Sequence, residues 1–147
     1  MTEEEAQAWL RAEYDVSRET WQRLELFIIA IVSPYRVKMV ESRKRRCEFL
    51  NRVVEQTGIA DHATVLADRL ENIESFPVDV ISARAFAPLD RLIALSHRFS
   101  TENTVWLLPK GKNAVRELKG LSPKRQKMFH VEHSLTDPDA GILVGKG

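Results

Sequence analysis

Arg36-Val-Lys-Met-Val-Glu-Ser-Arg-Lys-Arg-Arg-Cys-Glu-Phe-Leu50 is the stretch that decides the fold. Val37, Met39 and Val40 supply a strand, Glu41 stands at its C-terminal end, and Ser42 is the expected N-cap of a following helix. Arg43, Lys44, Arg45 and Arg46 then fall in the first helical turn. The helix dipole is positive at that end, so each cation costs roughly 0.3 kcal/mol or more. A cost repeated four times in a row points to a use for the charge. Cys47, Leu50 and Val54 recur at helical spacing, and Gly58 is the expected residue just past the helix end. Glu41 has two readings. It can hold the ribose hydroxyls of a nucleotide-like cofactor, as an acid at the end of the second strand does in doubly wound folds. It can also simply offset the cations and the dipole beside it.

Working outward, Thr2 and Glu5 form a capping-box pattern for a first helix that fades near Glu13. Ser17 is placed to cap a second, whose Leu24, Phe27, Ile28 and Ile31 make one buried face, and Pro34 ends it. C-terminal to the opening segment, Ala63–Ala67 reads as a short strand. Val78–Ser82 reads as another, apolar enough for a buried parallel position. Pro88 opens a helix with Leu89, Leu92, Ile93 and Phe99 on one side, and Thr104–Leu108 is the next strand. A short basic helix covers Asn113–Leu118. The chain closes as a hairpin, Met128–Val131 and Ile142–Val144 around Thr136–Gly141. Strands alternating with helices predict an α/β sheet with helices on both faces, and 147 residues suffice for one domain, 1–147, with N-terminal helices over 1–32 and an α/β core over 33–147.

Net charge is only +1, but it is patterned. Residues 36–52 carry seven bases against two acids, and residues 110–133 again seven against two. Residues 1–27 and 55–103 are acidic. Two basic segments brought together would attract a polyanion; held apart they would be two solvated faces. No apolar run approaches the roughly 18 residues of a membrane span. The acidic start lacks the pattern of a signal peptide, and the single cysteine, Cys47, fits a reducing compartment. The expected location is the cytoplasm.

Four strings occur in a specific order and spacing: Val40-Glu-Ser-Arg-Lys-Arg-Arg-Cys-Glu-Phe-Leu50, Ala67-Asp-Arg-Leu-Glu-Asn72, Val80-Ile-Ser-Ala-Arg-Ala-Phe-Ala-Pro-Leu89 and Pro109-Lys-Gly111. Over residues 33–145 the chain closely resembles the bacterial small-subunit ribosomal RNA methyltransferase G family, also called glucose-inhibited division protein B. The resemblance implies a class I S-adenosylmethionine-dependent, Rossmann-like α/β sheet with a C-terminal β-hairpin. It implies methyl transfer to N7 of a guanine in 16S ribosomal RNA by a monomer acting on the small ribosomal subunit. Carried over by position, Glu41 contacts the cofactor ribose. Leu70 and Glu71 lie beside the adenine. Arg84 lies near the methionine end of the cofactor and the target base. Arg43, Lys44, Arg45 and Arg46, with Lys110 and Lys112 after the fifth strand, face RNA. No residue is singled out as catalytic. The plainer readings stand beside these: Leu70 as core, Glu71 as a solvated acid, Arg84 as a partner of Asp79 or Glu41.

One departure matters. Class I methyltransferases hold the methionine part of the cofactor with a Gly-rich loop after the first strand, where backbone must approach closely. The six glycines here are Gly58, Gly111, Gly120, Gly141, Gly145 and Gly147, so none precedes Glu41. Ile29–Pro34 resembles the end of the family's helix after that loop, and Leu24–Phe27 a turn of its N-terminal helices. The simplest account is an internal deletion joined near Ile28, removing a strand–loop–helix unit on the order of 30 residues. That strand lies between the second and fourth strands of the family's sheet. Its loss leaves strand edges exposed or re-paired, and weak cofactor binding with impaired methyl transfer is expected, or in the limit an inactive RNA-binding remnant.

Other chemistries lose ground. Guanine N7 presents a lone pair and no proton, so its methylation needs orientation more than a general base. The Ala83-Arg-Ala-Phe86 string is not the Asn/Asp-Pro-Pro-aromatic pattern of exocyclic-amine methylases. Cys47 lies in the wrong element to be a carbon-5 nucleophile and reads as core. His130 and His133 fall on opposite faces of a strand, a poor metal geometry. A dehydrogenase-type domain lacks its glycine fingerprint equally.

Overall fold

The computed structural model describes residues 2, 4, 5, 8, 34–84, 88–133, 135, 137 and 139–147. At the start, the Thr2 N–H donates to Glu5 Oε2 at 2.7 Å and the Glu5 N–H donates to Thr2 Oγ1 at 3.2 Å, which is the expected capping box. The Thr2 backbone N–H, and next the Thr2 side chain, hold the Glu5 carboxyl below its ordinary range. The second helix expected from Ser17, its face of Leu24, Phe27, Ile28 and Ile31, and the join near Ile28 lie outside the described residues.

The chain forms two compact units, Met1–Ile73 and Glu74–Gly147. In the first, β1 (Val37–Val40) runs parallel to β2 (Ala63–Leu66), in register from Val37↔Ala63 to Val40↔Leu66. Parallel neighbours need a crossover, and α1 (Lys44–Thr57) supplies it. Cys47, Val53 and Val54 are its buried residues, and Ile59 and Ala63 after it are buried as well. Gly58 closes α1 at φ 68°, donating its N–H to Glu55 O, while the Ile59 N–H reaches Val54 O. The N-terminus of α1 differs from the sequence reading. Arg43, not Ser42, is the N-cap residue, and no side chain of the cap residue bonds the first turn. Glu41 Oε1 accepts the Arg43 N–H at 2.9 Å, so the strand-end carboxylate bonds the backbone where the helix begins.

The second unit is built on a sheet of order β3-β4-β6-β5. Its elements are β3 (Val80–Ser82), α2 (Leu89–Ser96) with a 3₁₀ turn at His97–Phe99, and β4 (Val105–Gly111), then α3 (Ala114–Lys119), α4 (Pro123–Gln126), β5 (Phe129–His133) and β6 (Gly141–Lys146). β3 and β4 are parallel; β6 is antiparallel to both β4 and β5, giving the terminal hairpin. One face of β4 carries Trp106 and Leu108, both 0% exposed. They pack with Leu89, Leu92, Ile93, Phe129 and Leu143 into the core. A Cβ on Gly145 would lie 2.5 Å from the Phe129 ring, so only glycine lets β5 and β6 close on this core. Thr104, fully buried, donates from Oγ1 to Val78 O at 2.6 Å and accepts the Thr101 N–H, clamping the start of β4 to the chain before β3.

β3 is the element least like its sequence reading. It spans three residues rather than Val78–Ser82, and Val80 is 52% exposed rather than buried. Among the described residues β4 is its one ladder partner. Among the described residues a strand with the composition of a central position therefore sits at an edge.

Candidate functional site

The first set of site residues lies beyond the C-terminal ends of β1 and β2. The Glu41 N–H extends the ladder to Leu66 O at 3.1 Å, which fixes its backbone at the strand end. The Cys47 thiol donates to Glu41 O at 3.0 Å, so the first turn of α1 is bonded to the strand end as well as packed near it. Burial, and next the Glu41 carboxylate, push the Cys47 thiol up from its ordinary value, which keeps that donor protonated. Glu41 Oε2 lies 3.4 Å from Arg46 Nη1. A carboxylate has about four lone-pair sites, so these two contacts leave acceptor capacity for hydroxyls. The carboxylate is thus oriented from both sides.

After β2, Asp68 shapes the turn that carries Leu70 and Glu71. Its Oδ1 accepts Asn72 Nδ2 at 2.8 Å and the Arg69 N–H at 2.6 Å. Those bonds, the Asn72 one first, hold the Asp68 carboxyl below the usual range. Leu70 and Glu71 occupy the 3₁₀ turn Leu70–Asn72, with Leu70 half-buried and Glu71 exposed. Glu41 and this turn stand beyond the ends of adjacent parallel strands, where α/β sheets place ligands. Asp68 escaped the sequence reading because an acid in a turn is ordinary; its spacing of four from Asn72 was the available signal.

The cations of α1 are mostly uncommitted. Arg43, Lys44 and Arg45 are exposed. Lys44 has only a 4.0 Å approach to Glu48 across solvent, which is worth little. Arg46 is the exception through Glu41.

The second set surrounds an open hollow of about 720 Å³ at the C-terminal ends of β3 and β4. Arg84, Asp90, Lys110, Arg116 and Glu117 line it, with Pro88 and Pro109 among its walls. Arg84, expected near the methionine end of the cofactor and the target base, and Lys110, expected to face RNA, line the same hollow. Lys110 is not displayed to solvent as Lys112 is. Its side chain is 6% exposed, and its Nζ lies 3.0 Å from Glu117 Oε2, an ion-pair contact without hydrogen-bond alignment. Lys112 is 74% exposed and reaches Asp139 at 3.3 Å. Gly111, at φ 58°, turns the chain between the two lysines, which is how neighbours so close in sequence reach different environments. Asp90, Arg116 and Glu117 were not singled out from the sequence, because nothing local marks residues that meet across a loop reversal. No group of three metal-ligating side chains occurs among the described residues.

The chain matches the model of a family described as rRNA small subunit methyltransferase G over residues 27–138. It belongs to that family. A relative from Sphingopyxis alaskensis named ribosomal RNA small subunit methyltransferase G is 57% identical over 120 residues, covering 82% of this chain and 51% of the relative. One of the same name from Erythrobacter litoralis is 47% identical over 141 residues, covering 90% and 68%. The chain spans about half the length of most curated relatives it matches. An O-methyltransferase from Bacillus cereus, solved with SAH, superposes with a TM-score of 0.57 at 14% identity, covering 99% of this chain and 90% of that one. The fold is that of the class I S-adenosylmethionine-dependent methyltransferases, and the α/β expectation with its terminal hairpin holds. Among the described residues β1 and β3 belong to separate ladders, β1-β2 and β3-β4-β6-β5. No helix among the described residues is long and apolar enough to cross a membrane.

Proposed function

We propose that this chain transfers the methyl group of S-adenosylmethionine to N7 of a guanine in 16S ribosomal RNA, acting as a cytoplasmic monomer on the small ribosomal subunit. The observation that carries the reading is the setting of Glu41. Its backbone is locked at the end of β1, its carboxylate is oriented by Arg43 and Arg46, and the Leu70–Asn72 turn follows the adjacent strand end. That edge fits an adenosine, with Glu41 toward the ribose hydroxyls and Leu70 and Glu71 toward the base. S-adenosylmethionine, when bound, supplies an electrophilic methyl group. The protein's task is to orient a neutral ring nitrogen toward it and exclude water, with no proton to remove. Arg43, Lys44 and Arg45 support the RNA side, being exposed cations.

The methionine end of the cofactor has no glycine cradle ahead of Glu41, since the chain has no glycine before Gly58. Weakened cofactor affinity follows, consistent with an internal deletion near Ile28. The test is incubation of the chain with labelled S-adenosylmethionine and small ribosomal subunits that lack the modification, followed by nucleoside analysis. Slow formation of 7-methylguanosine is expected. Its absence at saturating cofactor contradicts the proposal.

A further inference from the structure

The hollow at the ends of β3 and β4 holds three cations that are not equivalent. Lys110 is buried and spent on Glu117. Arg84 is half-buried. Arg116 precedes Glu117 on α3, is exposed, and has no ion-pair partner among the described residues. The Lys110–Glu117 contact joins the end of β4 to α3, and the Glu117 N–H also bonds Asn113 O at 2.9 Å. With Glu117 held by Lys110, Arg116 is the exposed guanidinium lining the hollow whose charge is not spent on an ion pair among the described residues. A guanidinium offers a planar fork of donors that suits phosphate oxygens, and its charge persists at any relevant pH.

We propose that Arg116 is a phosphate contact for the RNA substrate in this hollow, and that Lys110 and Glu117 are a positioning pair that holds α3 and Arg116 there. Lys110 is thereby assigned to the frame rather than to the ligand. This rests on the RNA reading above and names the group that serves it.

The test is fluorescence anisotropy of a labelled single-stranded oligoribonucleotide with the full chain, over a range of salt, with calorimetric binding of S-adenosylhomocysteine and thermal melting alongside. Arg116→Ala should weaken RNA binding about fivefold and flatten the salt slope by about 0.7, one single-strand phosphate contact, with melting and cofactor binding unmoved. Lys110→Met should lower the melting temperature. Adding Glu117→Gln to it should restore both melting and RNA affinity, since the pair then has no stranded charge. Unchanged affinity and slope in Arg116→Ala overturn the assignment while leaving the RNA reading intact. A folded Lys110→Met/Glu117→Gln variant with the Arg116→Ala defect makes Lys110 the contact instead and also overturns it. A wild-type chain that fails to bind the oligoribonucleotide overturns the RNA reading and this inference with it.

Discussion

The cations around Arg43–Arg46 and those after Lys110 come from segments with the same balance, seven bases against two acids, yet they end in different states. Arg43, Lys44 and Arg45 stand in solvent at the start of a 14-residue helix whose backbone end is bonded by Glu41. Lys110 lies almost wholly buried against Glu117, one residue before a left-handed glycine. The difference is made by context rather than composition. On α1 the flanking acid is used by the backbone and Arg46, leaving three charges outward. In the second unit the chain reverses at Gly111 and brings an acid from α3 onto the lysine. Charge patterning alone cannot separate a displayed cation from one that holds the fold.

That contrast is broken most directly by stability. Lys110→Met strands the Glu117 carboxylate, and a cost of about 2–3 kcal/mol is expected, below the usual figure for a fully buried pair because Glu117 is 29% exposed. Arg45→Ala, on the displayed side, should stay within about 0.5 kcal/mol of wild type. Urea unfolding of both variants measures this; equal and small effects would erase the distinction between the segments. A smaller effect concerns the backbone at each. Gly58→Ala and Gly111→Ala meet no atom within 4 Å, so each should lose only the left-handed conformational cost, about 1–2 kcal/mol by the same unfolding measurement. A markedly larger loss at Gly111 would mean that its turn is coupled to the Lys110–Glu117 contact.

The parts legible in the sequence were those with a local physical cause. The alternation of β1, α1 and β2, the carboxylate at the strand end, and Gly58 as helix stop all follow from periodicity and backbone conformation. The terminal hairpin was also legible from its paired apolar runs, Met128–Val131 and Ile142–Val144, around the Thr136–Gly141 segment. The parts that were not legible depend on partners distant in the chain or absent from it. Val78–Ser82 has the composition of a central strand, yet among the described residues β3 pairs on one side only and Val80 is 52% exposed. Ser42 has the right chemistry for an N-cap, but the helix starts one residue later, at an Arg43 whose N–H Glu41 accepts. The Ser122-Pro123 start of α4 carries a local signal, proline at the first helical position.

The central claim is that Glu41 holds the ribose of an adenosyl cofactor despite the lack of a glycine loop before it. Calorimetric titration with S-adenosylhomocysteine of the wild-type chain and Glu41→Gln tests it, since the amide oxygen still accepts the Arg43 N–H and preserves the helix start. The expected result is detectable wild-type binding weaker than micromolar, reduced about tenfold in Glu41→Gln with the melting temperature retained. Equal affinity in the two proteins would contradict the assignment of Glu41, and tight micromolar binding by the wild type would contradict the account of the lost loop.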